Sequence, residues 1–341
     1  MTTLLESQVT NFLASQLGRA PTASEVAQGM LAPWTLASVH NSLNVGTSVF
    51  SIDSTMDIQT AIDEAHAQGG GTIYLQPGVY ALTANLIGYS SIALAGVSPD
   101  STVLDFGATA YGVVFDSVTD ASLSNFAVQN TTGTAVTISN STKVSLENVE
   151  ANGCGIGFVI DICSEVFAQK VLAVGNTGDG FQLTALSLVE WQSANAISNG
   201  GNGFTFDTVA SFSGIPMAAN NNTGEGFKLT SVTNGTFLVA AEGNASHGVE
   251  FVSGCSGVDF LSGDFTGNTG DGARLTASAA NCKFNLMDVV GNGGYGINIV
   301  DSSSVGNLIL GNSFAGNTTA AANDSGTSTL IRSNIGLADS P

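Results

Sequence analysis

Along most of the chain, apolar side chains recur in pairs separated by one residue, each pair at a fixed offset from a glycine. The glycines are Gly157, Gly180, Gly203, Gly226, Gly248, Gly272 and Gly296, in steps of 23, 23, 23, 22, 24 and 24 residues. Gly112 and Ala135 extend the series upstream. One residue after these anchors stand Val113, Val136, Phe158, Phe181, Phe204, Phe227, Val249, Ala273 and Ile297. Three residues after them stand Phe115, Ile138, Ile160, Leu183, Phe206, Leu229, Phe251, Leu275 and Ile299. Alternation turns both members of a pair to one side of a strand and the residue between them to the other. A repeat of this length is that of a solenoid, in which each coil leaves an apolar face that the next coil covers. The predicted fold is all-β, a right-handed parallel β-helix of about 23 residues per coil.

A second column, four residues before the anchor, holds Asn176, Asn199, Asn222, Asn244, Asn268 and Asn292. Asn tolerates left-handed turns and hydrogen-bonds along a stack, so this column predicts an internal Asn ladder. The start of the chain reads differently. Thr3 with Glu6 forms a capping box ahead of Leu4, Leu5, Val9, Phe12, Leu13 and Leu17, and Thr22 with Glu25 repeats the box before Pro33. Two short helices are expected over residues 1–35. Residues 57–80, DIQTAIDEAHAQGGGTIYLQPGVY, predict an amphipathic helix carrying Ile58, Ala61, Ile62 and Ala65, then a Gly break, a strand and a Pro-Gly turn. The division is a helical N-terminal segment, 1–45, and a β-helix, 46–341, with a capping helix near 57–68. The last coil is expected near residue 320, with a polar tail from Ala321.

Charge narrows the partners. Lys plus Arg total 7 against 27 acidic residues, a formal charge of −20. Such a surface repels phosphate backbones and anionic membranes, so no nucleic-acid partner is expected. No apolar run reaches the ~18 residues of a transmembrane helix. A basic n-region followed by an apolar run is not seen at the N-terminus, which predicts export by a non-Sec route or travel as part of a particle. Cys154, Cys163, Cys255 and Cys282 form no CxxC pair and read as buried thiols.

The stretch 57–80 closely resembles the opening of pectate-lyase-like β-helix proteins, where a helix caps the first coil. That resemblance implies the fold, and the same opening serves lyases, epimerases and phage tailspikes. Coils such as GNTGDGF (175–181), SNGGNGF (198–204) and NNTGEGF (221–227) resemble those of bacterial mannuronan C5-epimerases, over roughly residues 55–320. Those enzymes carry a Tyr-Gly-Phe-Asp-Pro-His-Glu run that supplies acid–base residues. Its best counterpart here is IGFVIDI, where Ile156 replaces the Tyr, Val159 the Asp, Asp161 the His and Ile162 the Glu. The catalytic role is not carried over, and no catalytic residue is assigned. The segment FLASQLGRAPTASEV (12–26) distantly resembles Gly-Arg-x-Pro helical modules of bacterial secreted and surface-layer proteins.

One outward face carries a pattern of charge. Between the two inward columns lie Gln182, Thr205, Lys228, Glu250, Arg274 and Asn298, so Lys228, Glu250 and Arg274 are expected to stack with alternating sign. Just before the anchor lie Asp179, Asn202, Glu225, His247, Asp271 and Tyr295. A glycan- or partner-binding face at Lys228, Glu250, Arg274, Asp179, Glu225, His247 and Asp271 competes with a merely solvated, charge-balanced surface, on which ion pairs contribute ~0–1 kcal/mol each. Carboxylates at Asp179, Glu225 and Asp271 suit calcium, although the GGxGxDxUx nonapeptide is absent; no other cofactor and no fixed metal site is expected.

These features favour an extracellular, cell-surface or virion-borne structural or adhesive protein, self-assembling or glycan-binding, with itself or a surface component as partner through its N-terminal helices and polysaccharide as the further candidate partner. The competing readings are a polysaccharide epimerase, lyase or hydrolase, and a phage tailspike subunit. The N-terminal segment decides one part of this. Leu4, Leu5, Phe12, Leu13 and Leu17 form an apolar face that must pack somewhere. Removal of residues 1–45 is expected to leave a folded, monomeric β-helix that no longer assembles. Size-exclusion chromatography with a thermal melt checks it: an unchanged association state with a lowered melting point assigns the segment to a lid instead.

Overall fold

The computed structural model describes residues 48–338; the helices expected over 1–35, and with them the segment 1–45, lie outside the described residues. The described chain is a parallel β-solenoid with one helix, α1 (Ile58–Ala67). An eleven-stranded front sheet holds the strands that follow the anchors, and a nineteen-stranded sheet wraps the remaining sides. The coil beginning at Ile156 is typical. Its front strand Ile156–Asp161 is followed by Ser164–Gln169 and Leu172–Val174 on the wrapping sheet. Each strand pairs in parallel with its counterparts one coil away, and the front register Phe158↔Phe181↔Phe204↔Phe227 follows the period read from the sequence.

Both inward columns are buried. Phe158, Phe181, Phe204 and Phe227 stack face to face at centroid separations of 4.9, 4.6 and 4.9 Å. A second stack on the opposite wall, Phe212, Phe237, Phe260 and Phe284, repeats at 5.2, 5.2 and 5.3 Å. These spacings follow the ~4.8 Å between neighbouring parallel strands, so ring contact comes from the backbone period itself.

The Asn column is buried and bonded as a ladder. Asn199 shows the unit: Nδ2 donates to Asn222 Oδ1 (2.9 Å) and to Ala173 O (3.1 Å), while Oδ1 accepts from Asn176 N (3.1 Å) and Asn176 Nδ2 (2.9 Å). All four side-chain hydrogen-bonding positions are filled, as burial of a primary amide demands. The ladder runs one coil further than predicted, to Asn317, and a shorter one joins Asn312 to Asn334. It also explains the anchor. A Cβ on Gly203 would lie 2.7 Å from Gly226 O and 2.9 Å from Asn222 Nδ2, so a side chain there would push into the ladder.

Corners between strands use left-handed backbone. In successive coils they fall at Ile162, Glu165, Lys170 and Gly175, then at Ala185, Leu188, Ser193 and Ser198. Each such non-Gly residue costs about 1–2 kcal/mol in isolation, and the surrounding ladders over-determine it.

Two ends complete the fold. Asp57 caps α1 by accepting from Gln59 N at 2.9 Å, and Ile58, Ala61, Ile62 and Ala65 cover the first coil. Tyr80, buried beside it, sets its hydroxyl against Ile52 O (2.8 Å) and Gln76 O (2.7 Å); burial, with Asp53 nearby, pushes it up to about 12. At the other end the expected polar tail is a correction. Ala320–Asp324 pairs with Tyr295–Ile299 and Leu330–Arg332 with Leu308–Leu310, so the coil continues beyond Ala321. Ala322 and Asp324 stand there opposite the inward Ile297 and Ile299, which hid the repeat. The four cysteines are buried free thiols, and burial pushes Cys255 up to about 11 and Cys282 to about 12.

Phe204→Asp places a carboxylate between two parallel rings with no partner in reach, and is expected to abolish folding. A soluble Phe204→Asp protein with an unchanged melting point would contradict the stacked column. A second test uses Asp264 and Asp288, which face each other in register on the wrapping sheet. Burial, then the Asp288 charge, raises the Asp264 carboxyl above its ordinary value. A raised acid is a liability when ionised, so the cost is present at neutral pH and disappears as pH falls through the folded-state value. Asp288→Asn is therefore expected to stabilise by a few tenths of a kcal/mol at about pH 7, after allowance for solvent screening, and by less at about pH 4. Denaturant melts at the two pH values measure the difference.

Candidate binding face

The residues singled out by charge lie on the outward side of the front sheet, carried there by strict alternation with the buried columns. Lys228, Glu250 and Arg274 are register partners on three successive coils. Register does not bring them into ion pairs: neither Lys228 with Glu250 nor Glu250 with Arg274 closes to 4 Å. Among the described residues the ion contacts are Lys283 Nζ to Asp259 at 2.8 Å, on the wrapping sheet, and His247 Nδ1 to Asp271 Oδ2 at 3.7 Å. The expected stack of alternating charge is thus an alignment on the surface without ion pairing between its members.

The column before the anchor has a structural task that the sequence did not disclose. Asp179 Oδ1 accepts the backbone N–H of Asn202 at 2.7 Å, and Asn202 Oδ1 accepts that of Glu225 at 2.9 Å. His247 Nδ1 accepts from Asp271 N at 2.8 Å, and Asp271 Oδ1 from Tyr295 N at 2.7 Å. A short acceptor in one coil caps the backbone of the next, forming an outer ladder parallel to the Asn ladder. Glu225, one methylene longer, instead accepts from Ser246 Oγ at 3.1 Å. Side-chain bonds fill the second carboxylate oxygens. Asp179 Oδ2 takes Thr205 Oγ1 (2.9 Å) and Gln182 Nε2 (3.2 Å), and Asp271 Oδ2 takes Asn298 Nδ2 (2.8 Å).

This arrangement bears on calcium. Asp179 and Asp271 each stand two coils from Glu225, about 10 Å at the ~4.8 Å rise, and four coils from each other, so the three cannot share one ion. Among the described residues no group of three or more His, Cys, Asp or Glu is placed to hold a metal.

Arg274 is the group at this face whose bonding is left incomplete. Its Nη1 lies 3.1 Å from His247 Nε2, and its Nε is buried without a hydrogen-bond partner. His247 and Asp271 are themselves mostly buried, at 14% and 8% side-chain exposure. Tyr295 and Asn298, which stand in the columns without a role assigned from sequence, join the Asp271 bonds, and Thr205 joins those of Asp179.

The counterpart of the epimerase acid–base run lies on the same sheet, several coils away. Val159 faces outward from the strand Ile156–Asp161, Asp161 ends that strand, and Ile162 occupies a left-handed corner with its side chain exposed. Elsewhere, a cavity of about 210 Å³ lies against the wrapping sheet and is lined by Pro99, Asn148, Glu150, Lys170 and Asn195. Burial, with the Asp100 charge behind it, raises the Glu150 carboxyl there.

No protein-family profile and no curated protein sequence matches the chain. Solved structures do. The A-module of Azotobacter vinelandii mannuronan C-5 epimerase AlgE6 superposes with a TM-score of 0.68 at 20% identity, covering 89% of this chain and 99% of that one. The A-module of AlgE4 from the same organism gives 0.68 at 20% identity, with 87% and 94% covered. The catalytic domain of a GH87 alpha-1,3-glucanase in complex with nigerose gives 0.53 at 10% identity, with 85% and 69% covered. The chain is a parallel β-helix similar in fold to the epimerase A-modules and to these glucanases.

Proposed function

We propose that this β-helix is a glycan-binding protein of a cell surface or particle, and that the front sheet between Glu225 and Asn298 holds a sparsely charged acidic polysaccharide laid along the solenoid axis. Arg274 carries the proposal. A guanidinium beside acids that pairs with none of them, and whose one side-chain contact is Nη1 to His247 Nε2, favours an external anion that takes two parallel N–H bonds from its terminal nitrogens. Coil spacing supports an axial polymer, since ~4.8 Å per coil is close to the length of one pyranose ring. The sign pattern selects within the class. Lys228 and Arg274, two coils apart with Glu250 between, suit carboxylates on alternate sugars and a hydroxyl donor opposite Glu250. A carboxylate on every sugar would set like charges together at Glu250 and would meet the overall charge of −20. The fold neighbours that act on polysaccharides agree with the class of ligand and, at 20% identity and below, say nothing about its identity.

Binding without turnover is the expected outcome, because Val159 and Ile162 stand where the resembled enzymes keep an acid and a base. Attachment to the surface or particle falls to the N-terminal segment in this reading.

The test compares three polymers by affinity electrophoresis or calorimetry: an alternating glucuronate–N-acetylglucosamine chain, polymannuronate and a neutral glucan. The alternating polymer is expected to bind best, less well at high salt, and Arg274→Ala or Lys228→Ala to weaken it about tenfold each. NMR in deuterated buffer is expected to show no proton exchange at C5 of polymannuronate. Equal affinity for all three polymers would remove the charge-pattern argument, and C5 exchange would assign an epimerase.

A further inference from the structure

We infer that His247 is a proton-operated latch on Arg274, which regulates the face that the glycan-binding reading assigns. The outer ladder supplies the first observation. Its acceptors at Asp179, Asn202 and Asp271 are oxygens that need no particular protonation state near neutrality. At 247 the same bond ends on an imidazole nitrogen, Nδ1, which accepts the Asp271 N–H at 2.8 Å only while it carries no proton.

The second observation is on the other side of the ring. Nε2 lies 3.1 Å from Arg274 Nη1, and a guanidinium has donors only. Both ring nitrogens therefore face donors. A neutral imidazole offers one acceptor and one N–H, so it serves one of these contacts fully at a time. An imidazolium serves neither. Protonation leaves the Asp271 N–H without an acceptor and sets two cations against each other at Arg274.

The surrounding charges give the direction of the change. Lys228 and Glu225 lie on the preceding coil, Glu250 on the strand that follows His247, and Asp271, Arg274 and then Tyr295 on the coils beyond. Asp271 Oδ2, 3.7 Å from Nδ1, is the carboxylate oxygen within reach of an imidazolium. Turning toward it takes the ring away from Arg274 and releases Nη1, which with Nη2 makes the end-on fork of the guanidinium for a ligand carboxylate. Acid should therefore strengthen binding of an anionic glycan.

Two readouts test this, one of which needs no ligand. In NMR titrations of the full chain, the Asp271 amide and the Arg274 side-chain N–H signals are expected to shift with the His247 ring, and the Asp271 amide to exchange faster once the ring is protonated. The alternating acidic polymer is expected to bind about five- to tenfold more tightly at about pH 5.5 than at about pH 8, a window in which its carboxylates stay ionised. His247→Asn restores the acceptor used at Asn202 and has no proton to gain, so affinity should become independent of pH in this window. An Asp271 amide indifferent to the ring, or a pH dependence that survives His247→Asn, overturns the latch. If the polymer binds at neither pH, the glycan reading fails, and the amide titration still decides the latch.

Discussion

The buried Asn ladder is the interaction on which the rest of this solenoid depends. Apolar columns alone would let one coil slide or rotate over the next, because phenylalanine stacks well at many offsets. A primary amide inside the coil does not allow that freedom. Each Asn must find two acceptors and two donors away from water, and the register in which its neighbours one coil up and down supply them is the one observed. The anchor glycines follow from the same constraint, since a Cβ would press on the amide nitrogen. Once the ladder fixes register, the rings of Phe158, Phe181, Phe204 and Phe227 must lie at the strand spacing, and the outward positions of successive coils must align.

The features most legible in the sequence were those repeated at a single offset from the anchor. The inward columns and the Asn column recur with the same residue types, so the period and burial were readable from one chain. The corners were not. Left-handed backbone at Ile162, Lys170 and Leu188 sits on residue types that do not advertise it, although Asn140, Asn148 and Asn234 occupy the equivalent corners of nearby coils. The last coil was hidden for a related reason, as Ala322 and Asp324, the partners of the inward Ile297 and Ile299, give no apolar contrast. The candidate face was half legible. Alternation placed Lys228, Glu250 and Arg274 outward and in register. Whether neighbouring charges meet depends on rotamers, and so does the task of Asp179, His247 and Asp271, whose bonds to backbone N–H groups leave no trace in spacing.

That outer ladder changes how the acidic residues should be read. A chain with 27 carboxylates seems to offer many pairs for acid–base work or for cations. Asp179 and Asp271 each use one oxygen on the backbone of the next coil and the other on a side chain. Their charge belongs to the architecture. The groups on this face that the ladders do not consume are Lys228, Glu250 and the terminal nitrogens of Arg274, and it is to these that the proposed ligand is assigned.

The comparison with enzymes of the same fold points the same way. Epimerase A-modules and alpha-1,3-glucanase catalytic domains are named for unlike chemistry, yet both superpose on this chain over most of its length. The coil must therefore be indifferent to the reaction, and whatever distinguishes these proteins resides in outward side chains that the stacking does not constrain. Here the positions that resemble the epimerase acid–base run hold Ile156, Val159 and Ile162, while the ionisable groups gather several coils further along, around His247. A solenoid can shift a site along its axis in this way without altering its core, because every coil presents an equivalent outward face and the inner columns fix only what points inward. Under the proposed glycan-binding reading, the coil that matters is the one holding Arg274, whose donors the ladders leave unspent.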